Sequence, residues 1–541
     1  MLKKESKTKM SEEGSTGAVG GSEGQFNLEG ILSELGSFGK YQLLLLLLLA
    51  FRDSFLNMCN FNYVFTAAEV AYRCHVPECE ATDIRFNASW VTSILSNRSE
   101  VCHRLMPHRE NNVTEVEGLW SHSKFDLGCQ PWKRTLIGTV HNLGLVFSFI
   151  MSGVISDRYG RKVIIVGTPL MVGAAGLLKS FSVNYWMLLV LEFMETALGY
   201  GNASLVLSLE TVSQNSRVVY SCIADILSNF GGAFFGLIAW KIPYWRHMMR
   251  AIYAPLLVVV FYIFLVDEGV RWLLAHNKKD EAVRVLNKVA KINNITLSNK
   301  AKAMMTKITE ERSKADQVVQ TRSEDPPPIF SVLRSKKIVL RIALISVSFF
   351  CCMFVYSGSI INSTSISGNK YLNFSAMMLV AVPTRVITAL TLTRYGRKTP
   401  ICVAYCLCAA FFMASAFVPK SMWWASIVFY LAGKMCSSYG LFSMLVVTME
   451  VFPTTSRNSL TNVANTVGRL GSVIAPQAPL LGQYMTGLPS VVFALVALGP
   501  AMLALLLPDT SRTPLPDRVA DAERLDESPD SPGQLEGVTT S

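Results

Sequence analysis

A succession of twelve apolar stretches, each about twenty residues long, constrains this chain more than any other feature. A stretch of that length crosses roughly 30 Å of hydrocarbon as an α-helix, and a helix satisfies its own backbone groups in lipid. With 50% hydrophobic and only 16% charged residues, a soluble protein is excluded. The sequence therefore predicts an all-α membrane protein. The predicted spans are 42–69, 134–156, 163–181, 185–207, 219–240, 249–266, 338–361, 374–393, 399–418, 422–447, 460–483 and 488–508.

The distribution of charge predicts the orientation of these spans. Segment 267–341 carries 16 Lys and Arg against 9 Asp and Glu, and basic loops remain in the cytoplasm. An even number of spans then places both termini in the cytoplasm. Residues 1–25 are polar and rich in Gly and Ser, so we expect the first span itself to direct insertion. The net charge of +11 belongs mainly to the cytoplasmic side and does not indicate a nucleic-acid partner.

The long loop between the first two spans, residues 70–133, is predicted to face outward. It contains three N-glycosylation sequons and four cysteines, which suit the oxidising secretory lumen. Four cysteines allow three pairings, and the sequence does not choose among them. We therefore expect a glycosylated, disulfide-containing loop on a multi-pass protein of the plasma membrane. The sequon asparagines are Asn87, Asn97 and Asn112, and the cysteines are Cys74, Cys79, Cys102 and Cys129.

A charged sequence recurs at a nearly constant interval. The stretch "SDRYGRKVIIVG" at 156–167 returns as "LTRYGRKTPICV" at 392–403. The stretch "ETVSQNSR" corresponds in the same way to "EVFPTTSR", and Glu268 corresponds to Asp509. Each feature follows the equivalent span of its half. The chain is therefore predicted to contain two related six-helix halves, an arrangement typical of secondary transporters whose halves rock about a site near the bilayer midplane.

This repeat divides the chain into five predicted segments. The linker begins with amphipathic helix, as in "DEAVRVLNKVAKI", and is broken by prolines at 326–328. The ends of the chain are polar and are expected to be disordered. The segments are a cytoplasmic N-terminal segment 1–40, an N-terminal half 41–266 that includes the outer loop, a cytoplasmic linker 267–337, a C-terminal half 338–508 and a cytoplasmic tail 509–541.

Several motifs in this order resemble the major facilitator superfamily, and specifically the organic ion transporter family (solute carrier family 22). They are "LSELGSFGKYQ", "SKFDLGC", "DRYGRK", "RWLL", "SGNKYLNF" and "LPDTSRTPLPD", and they extend over nearly the whole chain. The stretches "NYVFTAA" and "YRCHVPECE" resemble insect members of the family. The resemblance implies the twelve-helix major facilitator fold and transport of small organic ions by alternating access. A monomer without a cofactor is expected.

The resemblance also implies that the repeated loops form latches between the halves on the cytoplasmic side. A carboxylate at a helix N-terminus, together with guanidinium groups against neighbouring acids, would form such a latch. The alternative is that these charges only fix topology. Thr393 replaces an expected Asp, which predicts a second latch that either is weaker or relies on capping by the hydroxyl group. The implied residues are Asp157, Arg158, Arg161, Lys162, Glu210 and Arg217 in the first half and Arg394, Arg397, Lys398, Glu450 and Arg457 in the second.

Charged residues inside spans are costly and are functional by default. Arg469 and Arg385 occupy positions that the resemblance associates with anion and carnitine-type carriers, whereas cation carriers tend to have Asp in place of Arg469. A guanidinium fork suits a carboxylate or a sulfate. The competing interpretation is that each arginine pairs with an acid such as Asp225 or Glu195.

The resemblance places Tyr356 and Asn60 at cavity-lining positions, and Asp225 is the candidate contact for an ammonium group. Glu192 stands where the family has Arg, while its repeat mate Lys434 is the expected cation. Three interpretations of Glu192 follow: a new ion pair, a proton site or a lost function.

The mixture of acids and guanidinium groups suits carboxylate-bearing anions and zwitterions related to carnitine. One rival interpretation is an organic cation transporter. A second is a transporter-like receptor that no longer transports, suggested by Glu192, Thr393 and "DEGVRW" in place of the family's PESPRW. An enzyme is not expected, since the sequence has no Walker loop and no spaced set of metal-ligating residues.

Overall fold

Long α-helices occupy the predicted spans in both halves of the chain, as the all-α membrane fold requires. A two-stranded antiparallel sheet, β1 (Tyr72–Cys74) paired with β2 (Val113–Glu115), lies in the loop after the first span. The computed structural model describes residues 28–36, 38–67, 72–74, 113–115, 130–201, 203–213, 216–299, 305, 335–366, 368–452, 457–485 and 487–507.

The first half is built from ten α-helices followed by two helices of the linker. A 3₁₀ segment, Ala254–Phe261, continues α9 within the sixth span. The helices are α1 (Leu28–Glu34), α2 (Lys40–Asn60), α3 (Asn62–Thr66), α4 (Pro131–Tyr159), α5 (Arg161–Lys179), α6 (Tyr185–Gly199), α7 (Ala203–Glu210), α8 (Arg217–Lys241), α9 (Trp245–Tyr253), α10 (Tyr262–Leu265), α11 (Val270–Ala275) and α12 (Lys279–Asn293).

The second half repeats this pattern with seven α-helices. Asn369 caps the first of the two helices of the eighth span by accepting hydrogen bonds from the backbone N–H groups of Tyr371 and Leu372. The helices are α13 (Lys336–Ile361), α14 (Lys370–Leu379), α15 (Ala381–Tyr395), α16 (Lys398–Phe417), α17 (Trp423–Val451), α18 (Arg457–Ile474) and α19 (Leu488–Leu506), with 3₁₀ segments at Asn362–Ser365, Lys420–Met422 and Ala475–Gln483.

Within the described residues, ten helices are long and apolar enough to cross a membrane, and the fourth and eleventh predicted spans are interrupted. The fourth span divides into α6 and α7 at Tyr200, whose N–H and C=O both hydrogen-bond the Ser148 hydroxyl of the second span. The eleventh span changes from α18 to a 3₁₀ segment at Pro476, which has no backbone N–H to donate. A side chain from another span therefore accounts for the first break, and a proline accounts for the second.

The linker packs against the first half. Asn293, at the end of α12, accepts a hydrogen bond from the Tyr41 backbone N–H and donates to the Leu35 carbonyl and the Gln42 side chain. A buried apolar cluster that includes Ile31 joins α1, α2 and α12. The amphipathic sequence of the linker is thus explained by a helix whose apolar face covers this end of the first half.

The two ends of the helix bundle differ in the chain segments attached to them. The loop end carries the segment between the first two spans, and the linker end carries α11 and α12. The halves touch at the loop end, where Gln477 bridges Thr135 and Thr139 at 2.9 and 2.8 Å. In addition, the Ser375 hydroxyl donates to the Ala233 carbonyl at 2.8 Å. These contacts close the loop end in this conformation.

The predicted modification sites belong to the loop between the first two spans. Cys74 is the last residue of β1. The other three predicted disulfide cysteines and the three sequon asparagines lie outside the described residues: Cys79, Cys102, Cys129, Asn87, Asn97 and Asn112. Glycosylation and disulfide formation therefore stay predictions.

Candidate functional site between the two halves

The repeated glycine of "RYGRK" makes the tight turn at the linker end in both halves. Gly160 has φ of 105° and Gly396 has φ of 79°, values that favour glycine. A Cβ on Gly160 would lie 2.2 Å from a carboxylate oxygen of Glu268. The bare glycine lets that carboxylate accept hydrogen bonds from the Arg161 and Lys162 backbone N–H groups at 2.8 and 3.2 Å. Glu268 therefore sits at the positive N-terminus of α5.

Ion pairs surround each of these turns. In the first half, Arg161 lies 3.2 Å from Asp157 and 3.5 Å from Glu210. In the second half, Arg397 binds both carboxylate oxygens of Glu450, at 2.9 and 2.7 Å. The fork-to-fork pair is the stronger arrangement because it makes two charge-assisted hydrogen bonds. The second cluster is thus tightly paired although Thr393 replaces the expected Asp.

Each cluster connects helices of a single half. Arg217 donates to the Leu209 and Val212 carbonyls of its own half, and Lys398 donates to the Leu505 carbonyl. These contacts lie within one half, and they do not test whether the predicted latch residues also tie the two halves together. A latch between the halves stays a prediction.

One ion pair joins the two halves of the protein. Arg385 of α15 lies 2.8 Å from Asp225 of α8, measured from Nε to Oδ2. The Nε–H does not point at this oxygen, so the contact lacks hydrogen-bond geometry. Asp225 also accepts a 3.2 Å hydrogen bond from Asn229. Counted at about 1.5 Å per residue, Asp225 lies about 12 Å from the linker end of α8.

Arg469 makes a different contact across the same interface. Its guanidinium carbon lies 3.4 Å from the ring centre of Phe149, which belongs to the second span in the opposite half. Among the described residues, no carboxylate lies within ion-pair distance of Arg469. The predicted alternative that Arg469 pairs with Asp225 or Glu195 is therefore not what this conformation contains, whereas Arg385 does pair with Asp225.

Lys434 adds a third cation to the second half. Its ammonium group is fully buried, donates to the Tyr356 carbonyl at 3.0 Å and lies 3.2 Å from the Tyr356 ring centre. No carboxylate of the described chain lies within ion-pair distance of this ammonium. Tyr356 also lies near Arg385 and Asp225. The structure thus brings together Arg385, Asp225, Tyr356 and Lys434, four residues that the sequence placed on four different spans.

The first half contains a buried charged network that sequence reasoning only partly identified. Lys179 donates to Glu192 at 2.8 Å and to Glu195, and it contacts the Tyr253 hydroxyl at 3.0 Å. His141 lies 2.7 Å from Glu192 and 3.3 Å from the predicted cavity residue Asn60. Of the three interpretations of Glu192, a new ion pair is the one that the contacts support. Lys179 and His141 were missed, although an ionisable residue inside a span is the signal that identifies them.

Two six-helix halves that meet at ionised side chains define a membrane transporter of the major facilitator class. Residues 67–515 match the family described as "Sugar (and other) transporter", and the chain belongs to this family. It is similar to the "Organic cation transporter protein" of Drosophila melanogaster, with 25% identity over 92% of this chain and 95% of the relative. It is also similar to "Solute carrier family 22 member 2" of Homo sapiens, with 26% identity over 86% and 83%. The resemblance to solute carrier family 22 is thereby confirmed.

Solved structures of the same fold include the xylose transporter XylE from E. coli. Its inward open conformation has a TM-score of 0.59 and 13% sequence identity, covering 90% of this chain and 99% of that one. Its partially occluded inward open conformation has a TM-score of 0.56 and the same identity, covering 86% and 99%. At this level of identity the likeness establishes the fold, and the major facilitator architecture predicted from the repeats is confirmed.

Proposed function

We propose that this transporter carries small carboxylate-bearing organic anions and zwitterions, such as carnitine-like solutes, by alternating access. The single observation that supports this proposal is the balance of charge where the halves meet. Two guanidinium groups, those of Arg385 and Arg469, and the basic side chain of Lys434 accompany one carboxylate, Asp225. A surplus of positive charge within the membrane spans favours a solute that brings negative charge with it.

The ion pair across the interface also explains how a zwitterion would bind. The carboxylate of the solute would take the place of Asp225 beside Arg385, and its ammonium group would pair with Asp225. Both charges stay compensated throughout, so the exchange avoids leaving a bare charge in a low-dielectric site. Because Arg385 and Asp225 belong to opposite halves, the exchange would also release a contact that holds the halves together. Substrate binding and rocking of the halves are coupled in this way.

An organic cation carrier is the second candidate. Two observations favour it: the names of the relatives in solute carrier family 22 and the exposed fraction of the Asp225 side chain, 34%, which leaves that carboxylate accessible. A cation would bind Asp225 directly and would gain nothing from Arg469. The two candidates therefore differ in what they require of the arginines.

Uptake into cells that express the chain separates these candidates. Carnitine, succinate, an aryl sulfate and tetraethylammonium are offered side by side, with surface protein measured for each variant. Saturable uptake of carnitine or an anion is expected, with a loss of about tenfold or more in Arg469→Asp and partial retention in Arg469→Lys. Uptake of tetraethylammonium alone, unchanged by Arg469→Asp, would reject the anion proposal. Surface protein without uptake of any solute would favour the receptor interpretation.

The proposed setting is the plasma membrane, with both termini in the cytoplasm and the loop 70–133 outside. This orientation rests on the charge asymmetry and the three clustered sequons. Removing the sequons one at a time, as Asn87→Gln, Asn97→Gln and Asn112→Gln, should each reduce the mobility shift that a glycosidase produces on a gel. Asn294 begins a sequon in the predicted cytoplasmic linker, and Asn294→Gln is the matched control that should change nothing. A glycan on Asn294 would contradict this orientation.

A further inference from the structure

A continuous chain of polar side chains crosses the first half of the protein. It runs from Asn60 to His141, Glu192, Lys179, Glu195 and Tyr253, which lie on the first, second, fourth, third, fourth and sixth spans. The exposed fraction of the His141, Glu192, Lys179 and Glu195 side chains is 1% or less. Only Asn60, at one end, is partly exposed. Buried polar networks of this size are costly unless every member is satisfied.

The hydrogen bonds assign protons to the atoms of this chain. Glu195 accepts from the Tyr253 hydroxyl at 2.7 Å and from the Lys179 ammonium, so both of its oxygens act as acceptors. Glu192 accepts from Lys179 with one oxygen and faces His141 Nδ1 with the other. Both carboxylates therefore have the partners of the ionised form, which is acceptor-only.

His141 is the titratable group of the network that faces an oxygen atom with each of its two ring nitrogens. Its Nδ1 faces the Glu192 oxygen at 2.7 Å, and its Nε2 faces the Asn60 side-chain oxygen at 3.3 Å. In this orientation of the Asn60 amide, both acceptors are satisfied only when both ring nitrogens carry a proton. The charge count of the network leads to the same assignment. With His141 protonated, the two cations His141 and Lys179 balance the two carboxylates Glu192 and Glu195. With His141 neutral and both carboxylates ionised, one negative charge is left uncompensated in the interior.

We propose that this network is a proton-binding site, with the exchangeable proton on His141 Nε2, and that it couples solute transport to proton movement. This inference deepens the proposed transport function and rests on it for the coupling. When Nε2 is protonated, it engages the Asn60 oxygen and leaves the Asn60 amide nitrogen free to donate to a solute carboxylate. When Nε2 loses its proton, it becomes an acceptor, and the Asn60 amide must turn its nitrogen towards the imidazole. Proton and carboxylate therefore favour the same state, which makes the coupling symport.

Within the part of the chain that the structure describes, the other side chains found around the imidazole are neutral. The ring centre of Tyr63, in the first span, lies 4.4 Å from that of the imidazole with the two planes tilted by 39°, and Tyr200 lies edge-on at 6.5 Å. Cys59 of the first span contacts the Ile252 carbonyl of the sixth. The charged groups that face His141 are thus Glu192 directly and Lys179 and Glu195 beyond it.

Purified protein in liposomes tests the coupling. Radiolabelled carnitine is supplied with a one-unit inward proton gradient while the membrane potential is clamped with potassium and valinomycin. Wild-type protein should accumulate carnitine up to about tenfold, the limit for one proton per solute at that gradient. His141→Gln should abolish accumulation and Glu195→Gln should reduce it, while both variants keep carnitine counterflow, which needs no net proton movement. His247→Gln, an exposed histidine, is the control that should accumulate normally. Full accumulation in both network variants would overturn the coupling.

A second measurement does not depend on transport. Protein labelled at histidine Cε1 is titrated between pH 5 and 9 and followed by NMR. We expect one titrating signal that His141→Gln removes and His247→Gln retains. Glu195→Gln, which takes one negative charge from the network, should weaken proton binding at His141 by about tenfold, a shift of one pH unit. A His141 signal that does not titrate would overturn the proton site even if carnitine is transported. A His141 signal that titrates, in a protein that takes up none of the solutes, would reject the proposed function but would support the proton site.

Discussion

Replacing Lys179 by methionine is expected to remove most of the folded protein from the cell surface. Lys179 is the cation between two buried carboxylates, and methionine leaves both Glu192 and Glu195 without it. Removing one partner of a buried ion pair typically costs about 3–5 kcal/mol, because the remaining charge stays buried. That loss is comparable with the whole stability of many domains. Surface biotinylation and size-exclusion chromatography in detergent measure the effect.

Two further variants show whether charge balance is the cause. Lys241→Met changes an exposed lysine at the end of α8 and should leave surface protein unchanged. In Lys179→Met with Glu195→Gln, the remaining charges are Glu192 and protonated His141, which balance. We expect this double variant to recover most of the protein lost in Lys179→Met. A double variant as poor as the single one would mean that Lys179 acts through packing and not through charge.

Replacing Arg385 by alanine is expected to lower the uptake of carboxylate-bearing solutes by about ten- to hundred-fold, the range for losing a hydrogen bond to a charged group. The loss has two physical sources. The solute carboxylate loses its guanidinium partner, and Asp225 is left without the cation that lies 2.8 Å away. The bare Asp225 carboxylate should then attract cations, so tetraethylammonium uptake should rise. Uptake normalised to surface protein measures both changes in the same cells.

Arg284→Ala is the matched control because Arg284 is exposed on α12 in the linker, away from the interface between the halves. Arg385→Lys keeps the charge and loses the fork, so an intermediate uptake is expected. If Arg385→Ala lowers the uptake of carnitine and tetraethylammonium equally, Arg385 supports the interface without selecting the solute. Equal uptake by Arg385→Ala and wild type would remove Arg385 from the substrate site altogether.

The sequence by itself determined the class of fold. Hydrophobicity is a property of consecutive residues, so the apolar stretches are visible without any tertiary information. The repeated "RYGRK" motif likewise identified two related halves, and the positive φ of Gly160 and Gly396 explains why glycine occupies that place in both copies. The break in the fourth span was missed because Ser148, on another span, satisfies the backbone at Tyr200.

Only the tertiary structure decided which charges meet. The sequence identified Arg385, Asp225, Glu192 and Lys434 as charges inside spans, but their partners depend on the rotation and crossing of helices far apart in the chain. Asp225 could pair with either arginine on composition alone, and packing of α8 against the eighth span selects Arg385. The same packing places His141 between Glu192 and Asn60, which no spacing along the chain indicates. Side-chain charge is local, whereas the compensation of charge is a property of the assembled bundle.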